Sequence, residues 1–293
     1  MHGFTTRQGA QTRKHQRKSL SFPRQCKENS KFEAGWANFF TAIEASDFPL
    51  AVLQQKHSSI VYNVERDGKS RELCYQLPCG SNTADLASAS HQGNCTGDAL
   101  VTGSEGILLA VKTADCMPIL LVDKKFRTVA AVHAGWRGAL GRIIEKTVGD
   151  MYRQFGTRPE NLVAVVGPSI RGCCYEVGDD VVDAFCGAFP KSDSFFQIPA
   201  PDSDRPGLEQ RRQTLFMLQA PPGHGPEAPV KAHLDLVAVA RSQLQAAGIS
   251  DSAIYVADYC TACRTDLFFS YRKEGSFAGR MIAAIGILPD KSS

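Results

Sequence analysis

The sequence predicts a mixed α/β domain. Three observations carry that expectation: short apolar runs bounded by turns, amphipathic helical stretches between some of them, and neighbouring runs with no helix between. The runs at 107–111, 119–122, 128–133, 162–166, 254–256 and 281–287 have strand length and are flanked by turn formers. Over 138–155, Leu140, Ile143, Ile144, Val148, Met151 and Phe155 recur at helical spacing and make one apolar face. Leu236, Val237, Ala240, Leu244 and Ala247 do the same over 234–247, and Gly248 supplies a stop. A weaker helical pattern covers 179–189. Runs 107–111 and 119–122 are too close to enclose a helix, so part of the sheet is antiparallel or mixed.

Composition bounds the functional classes. Hydrophobic residues make up 43% and charged residues 22% of the 293, enough to bury a sizeable core. A net charge of +3 argues against a nucleic-acid or membrane-surface partner. No apolar run approaches the roughly 20 residues of a membrane-spanning helix, and no secretory h-region is present. The ten cysteines follow no regular framework, which fits reduced thiols and a cytoplasmic setting. Residues 1–27 carry seven basic side chains and no acid, and read as a solvated arm over 1–30 that includes the start of the fold. The remainder, 31–288, reads as a single catalytic domain with flexible loops near 65–97 and 190–230. The first loop is polar, and the second holds eight prolines.

The densest chemical signal is Thr113-Ala114-Asp115-Cys116-Met117-Pro118, followed by His133-Ala134-Gly135-Trp136-Arg137-Gly138. Each cluster sits where a strand begins or ends, and the second runs straight into a helix, a junction that exposes side chains and free N–H groups. Cys116 and His133 are ligand types that suit zinc. With His57, after the apolar stretch 49–53, they make three N/S ligands, the arrangement of a catalytic site with one open position. Alone, Cys116 would read as a small core residue and His133 as a satisfied polar group.

A resemblance then enters. His2-Gly3-Phe4-Thr5-Thr6-Arg7, Gly97-Asp98-Ala99-Leu100-Val101-Thr102, the two motifs above, Gly167-Pro168-Ser169-Ile170 with Cys173-Cys174-Tyr175-Glu176-Val177-Gly178, and Cys260-Thr261 with Phe268-Phe269-Ser270-Tyr271-Arg272 and Gly279-Arg280 match one family in order. The chain resembles the laccase-domain family, long known as multicopper polyphenol oxidases and now described as purine nucleoside phosphorylases with adenosine deaminase activity. The resemblance implies a sandwich of mixed β-sheets flanked by helices. It also implies a metal bound by His57, Cys116 and His133, with zinc expected and copper admitted. Purine nucleosides (adenosine, inosine, S-methyl-5'-thioadenosine) and phosphate are the implied substrates. Ser58 departs from the family's usual glycine. Multicopper chemistry itself is excluded, because it needs about ten histidines and this chain has seven, with no His-x-His pair.

Roles follow from chemistry. Asp98 and Asp115 are the candidates to shuttle protons during deamination, with Asp98 preferred and Asp115 equally able to orient a ligand. Arg137, at a helix start, suits phosphate. Arg7, Arg272 and Arg280 are further anion ligands, and Trp136 either stacks on a base or packs. Two other readings stand beside this one. One is a metal-independent cysteine hydrolase with Cys116 as nucleophile and His133 as base. The other is a non-catalytic binding protein that uses the arm and the Pro-rich loop. Cys260-x-x-Cys263 is the single Cys-x-x-Cys of the chain, without the second pair of a zinc ribbon.

Overall fold

The computed structural model describes residues 1–7, 39–67, 72–78, 95–197 and 232–289. The basic arm beyond Arg7, residues 79–94 and the Pro-rich 198–231 lie outside the described residues. The chain divides into two compact units, Met1–Arg171 with Leu236–Ser293, and Gly172–Asp235. The expected catalytic domain, 31–288, spans both.

In the first unit the strands are β1 (His2–Phe4), β2 (Leu50–Ala51), β3 (Val61–Arg66), β4 (Leu73–Gln76), β5 (Ala99–Thr102), β6 (Leu108–Thr113), β7 (Met117–Asp123), β8 (Thr128–Ala134) and β9 (Leu162–Val166). The second unit holds β10 (Glu176–Val177), β11 (Phe196–Gln197) and β12 (Ala232–Leu234), and the first resumes with β13 (Ile254–Val256) and β14 (Met281–Gly286). Helices are α1 (Trp136–Leu140), α2 (Ile143–Phe155), α3 (Asp179–Ala188), α4 (Leu236–Ala246) and α5 (Tyr271–Glu274).

Two sheets of the first unit pack face to face. One has the order β1-β14-β6-β2, and the other has the order β13-β9-β7-β8-β5-β3-β4. The pairs β2/β6, β3/β5 and β9/β13 are parallel, and the others are antiparallel. The mixed α/β sandwich that the sequence predicts is therefore the observed architecture. Between the sheets, Leu109, Val111, Ala283 and Ile285 meet Leu100, Leu120, Val129 and Ala131. Each large apolar side chain so buried contributes about 1.5–3 kcal/mol. The alternate residues Leu108, Ala110, Ile282 and Ala284 pack on the other side, against Phe39 and Ala45. The smaller sheet is thus covered on both faces, which is why β6 and β14 read as unbroken apolar runs.

Two expectations change. The helix expected over 138–155 is interrupted: α1 ends at Leu140, Gly141 follows, and α2 begins after Arg142, whose φ is +59°. A side chain at Gly141 would stand 3.1 Å from Ser59 Cβ, so the chain turns where it meets that loop. Part of the expected 65–97 loop is strand β4, with Leu73 and Tyr75 buried against the core. In the second unit, α3 brings Phe185 and Phe189 into a stack at 5.7 Å, with Phe195 edge-on to both.

Gly286 lies where β14 crosses closest to the chain leading into β6. A Cβ there would sit 2.5 Å from the carbonyl oxygen of Ile107, a backbone atom that cannot swing aside. Gly286→Ala should lower stability by about 1–3 kcal/mol, read as a fall in the urea midpoint, and a wild-type midpoint would contradict this packing.

Candidate metal centre

Strand alternation assembles the site. On β8, His133 lies two residues beyond Ala131, and immediately ahead of β5, Asp98 lies two before Leu100, so both share the face that lines the sandwich. The antiparallel register pairs Ala99 with Val132 and so sets Asp98 beside His133, whose N–H donates to the Asp98 carbonyl at 2.8 Å. On the other side of β8, Met117 pairs with Ala134, which brings Cys116 against Gly135.

Asp98 is fully buried and organises what surrounds it. Its Oδ1 stands 2.8 Å from His133 Nδ1 and accepts from the His57 backbone N–H at 3.0 Å. Its Oδ2 accepts from the N–H groups of Lys56 and Ser58, at 3.3 and 2.6 Å, and from Ser58 Oγ at 2.6 Å. Three successive N–H groups converging on one carboxylate form an anion nest. The nest holds His57 at φ +61°, a conformation few non-glycine residues adopt, and turns its ring toward Cys116. Burial opposes the charge on Asp98. Hydrogen bonds from His133 and Ser58 outweigh that and lower its pKa to about 2.

The His57 and His133 rings meet edge-on with centroids 5.0 Å apart, and His57 Nε2 is 3.6 Å from Cys116 Sγ. One ligand atom from each of His57, Cys116 and His133 lies within 4.8 Å of the others. Two such ligands on one tetrahedral zinc ion stand about 3.5 Å apart. The donor set therefore fits zinc: two imidazole nitrogens and a thiolate, with His133 oriented from behind by a carboxylate. Gly135 permits this approach, because a Cβ there would lie 2.8 Å from His57 Cδ2 and 2.9 Å from Cys116 Sγ. Burial raises the Cys116 pKa, but the His133 charge, then hydrogen bonds from His133 and His57, bring it down to about 6. Burial likewise disfavours charged His133, yet the Cys116 charge and the Asp98 bond lift its pKa to about 9.

Asp115 anchors the opposite side. At φ +85° it precedes Cys116, and its Oδ1 accepts from Thr261 Oγ1 and its Oδ2 from the Arg272 N–H, both at 2.6 Å. Its carbonyl accepts from Ile170 N at 2.9 Å. Thr261 is fully buried, and sequence reasoning gave it no role. The pairing Cys260-Thr261 within the family motif was the available signal.

The arginines divide. Arg7 is held by Glu274, by the Thr265 carbonyl at 2.5 Å and by the Phe269 ring at 4.5 Å, an engaged structural position. Arg280 donates to the carbonyls of Ala278 and Gly279. Arg272 meets Asp115 through its backbone. Arg137 is exposed beside the site, its guanidinium 4.2 Å over the half-buried Trp136 ring. Asp98, expected to shuttle protons, has both oxygens committed to five donors, and His133 accepts its support through Nδ1. Its geometry is that of an orienting group.

An α/β sandwich with a His–Cys–His centre at its strand ends defines the class. The chain belongs to the family described as multi-copper polyphenol oxidoreductase laccase, whose model matches residues 1–288. Among its relatives are adenosine deaminase RL5, from an unknown prokaryote, and purine nucleoside phosphorylases of Deinococcus radiodurans and Bacteroides thetaiotaomicron. Identities are 39% over 64% of this chain, 38% over 68% and 36% over 65%. The matches span 61%, 64% and 60% of those proteins, so the chain covers about three fifths of the length of the curated relatives it matches. The crystal structure of YlmD from Geobacillus stearothermophilus superposes with a TM-score of 0.69 at 28% identity, over 99% of this chain and 92% of that one. Bacillus licheniformis YfiH gives 0.71 at 25%, over 98% and 92%.

Two outcomes test the centre. Between about pH 6 and 9 the metal-free site holds a thiolate and an imidazolium. An ion that takes both groups as ligands must displace the His133 proton, so zinc binding near neutral pH should release about one proton. Affinity should rise with pH, level off above about 9, and fall more steeply below about 6, where Cys116 is protonated as well. Calorimetry in buffers of different ionisation enthalpy counts the protons, and a count of zero contradicts the assignment. Asp98→Asn should weaken zinc binding about 10–100-fold in a chelator competition, with the circular dichroism spectrum retained.

Proposed function

We propose that the protein is a zinc-dependent purine nucleoside phosphorylase, acting on adenosine, inosine and S-methyl-5'-thioadenosine, with adenosine deaminase activity. The observation that carries this reading is the convergence of His57, Cys116 and His133 on one point, oriented by Asp98. It is joined by relatives named for both reactions. Bound zinc would supply a Lewis acid beside the reacting group. Asp98 fixes the His133 ring so that its remaining nitrogen is offered to the ion. Asp115, next to the proposed ligand Cys116 and 8% exposed, accepts one hydrogen bond at each oxygen against five at Asp98, and on that difference is the carboxylate assigned to hold or pass a proton. Arg137 is the cation available to phosphate, and Trp136 beside it is the aromatic face available to a purine. Arg272 borders the same side, while Arg7 and Arg280 support the segments that carry it.

No helix among the described residues is long and apolar enough to cross a membrane. A reducing compartment such as the cytoplasm suits a thiolate ligand. A cysteine hydrolase is the second reading, favoured by the low pKa of Cys116 beside His133, and it needs no metal.

Zinc-loaded protein should convert inosine to hypoxanthine and ribose 1-phosphate only when inorganic phosphate is present. Arg137→Ala should raise the KM for phosphate about tenfold or more while changing that for nucleoside little. Equal base release without phosphate points to a hydrolase, and full activity after metal removal to the cysteine reading.

A further inference from the structure

The Cys260–Cys263 segment lies outside the proposed chemistry, yet it is tied directly to it. The Arg264 N–H donates to the Cys260 carbonyl at 3.0 Å, closing one helix-like turn around Cys260, Thr261, Ala262 and Cys263. Residues three apart on such a turn face the same way, with Cβ atoms about 5–6 Å apart. The two Sγ atoms accordingly lie within 4.8 Å of each other. Both thiols are reduced; Cys263 is exposed and Cys260 partly so. A disulfide needs Cβ atoms about 3.5–4.5 Å apart, so closing the bond requires the turn to tighten.

Between the two cysteines sits Thr261. Its N–H donates to the Ser169 carbonyl at 3.1 Å, and its hydroxyl donates to Asp115 at 2.6 Å. Asp115 in turn presents Cys116. One buried hydrogen bond therefore joins the 260–263 turn to the residue preceding a proposed metal ligand.

We propose that Cys260 and Cys263 form a peroxide-sensitive dithiol site whose closure to a disulfide loosens the His57–Cys116–His133 centre through Thr261 and Asp115. The sulfur of Cys263, the more exposed thiol, attacks a hydroperoxide. The O–O bond breaks, a sulfenic acid forms on Cys263, and one water or alcohol leaves. The Cys260 sulfur then displaces the sulfenic oxygen as a second water, forming the S–S bond. Two thiols are oxidised by two electrons in all and one peroxide is reduced, so the step balances. Reduction by a dithiol reagent reverses it.

The dithiol stands on the turn's own geometry, and its action on the centre rests on the metal reading, so the test separates them. Full-length zinc-loaded protein is treated with a small excess of hydrogen peroxide, alkylated under denaturing conditions and digested with trypsin. Residues 242–264 form one tryptic fragment containing both cysteines. It should resist alkylation and be about 2 Da lighter than the dithiol form, as an internal disulfide requires. Oxidised protein should also release zinc to a chelator about tenfold faster, and dithiothreitol should restore the original rate. Cys263→Ser should keep the reduced protein's zinc release and activity and lose the peroxide response. Alkylation of both thiols in that fragment after peroxide overturns the dithiol. Equal acceleration of zinc release in wild type and Cys263→Ser overturns its action on the centre, placing the responsible oxidation at another side chain. Reduced protein that binds no zinc overturns the metal reading instead, and the fragment mass still decides the dithiol.

Discussion

The candidate site depends first on the buried carboxylate of Asp98. A carboxylate taken out of water costs several kcal/mol unless every oxygen is matched. Here the match comes from two separate stretches of chain, the 56–58 turn and His133. Neither is in place until β5 has paired with both β3 and β8. The geometry of the centre is therefore a consequence of the finished sheet and not of any local segment. The same group sets the orientation of both histidines, His133 through its ring and His57 through its backbone. The Ser58 hydroxyl adds a third donor to Asp98 Oδ2, at a position where the resemblance leads one to expect glycine.

Close packing supplies the second constraint. Gly135 lets the β8 end pass against the sulfur, and Gly138 lets α1 settle 3.0 Å (as a Cβ would measure it) from the Ser58 carbonyl. Two of the left-handed residues, His57 and Asp115, form part of or immediately precede the proposed ligand set. Such conformations cost about 1–3 kcal/mol each and persist where surrounding bonds over-determine them. In both cases those bonds are visible: the Asp98 nest for one, Thr261, Arg272 and Ile170 for the other.

How much of this the sequence disclosed follows from length and period. Strands β6 to β8 and β14 were legible because burial on both faces leaves continuous apolar runs, and β9 and β13 because their apolar runs are bounded by turn formers although alternate residues are less buried. Strands β1, β2 and β10 to β12 were not, since two or three residues without an apolar run carry no signal. β5 was hidden inside a polar motif, and β4 inside a stretch whose composition reads as loop. The break between α1 and α2 left no trace because Leu140, Ile143 and Ile144 keep helical spacing across it; its cause, the approach of Ser59, is tertiary. Cys116 and His133 could be proposed from strand ends and His57 from the end of the apolar stretch 49–53, and the family resemblance points to the same three residues. The sequence leaves the part played by Asp98 open for a physical reason. A carboxylate beside a reactive cluster can hold protons or hold ligands, and only its hydrogen-bond count separates the two.

That count also bears on whether Cys116 is a ligand or a nucleophile. A thiolate beside an imidazolium, with a carboxylate behind the histidine, is common to metal sites and to cysteine hydrolases. What differs is the space around the sulfur. A nucleophile needs an open path for a carbonyl carbon to approach Sγ. Here the His57 ring stands 3.6 Å away on one side, and the Gly135 backbone is so near that even a methyl group could not be added there. A thiol–imidazole pair needs only one histidine, yet a second, His57, stands beside the same sulfur with its backbone held in a rare conformation by the buried carboxylate that orients His133. A nest of three N–H groups thus aims a second imidazole at a half-buried sulfur, and of the two readings the proposed metal centre is the one that would employ all three side chains.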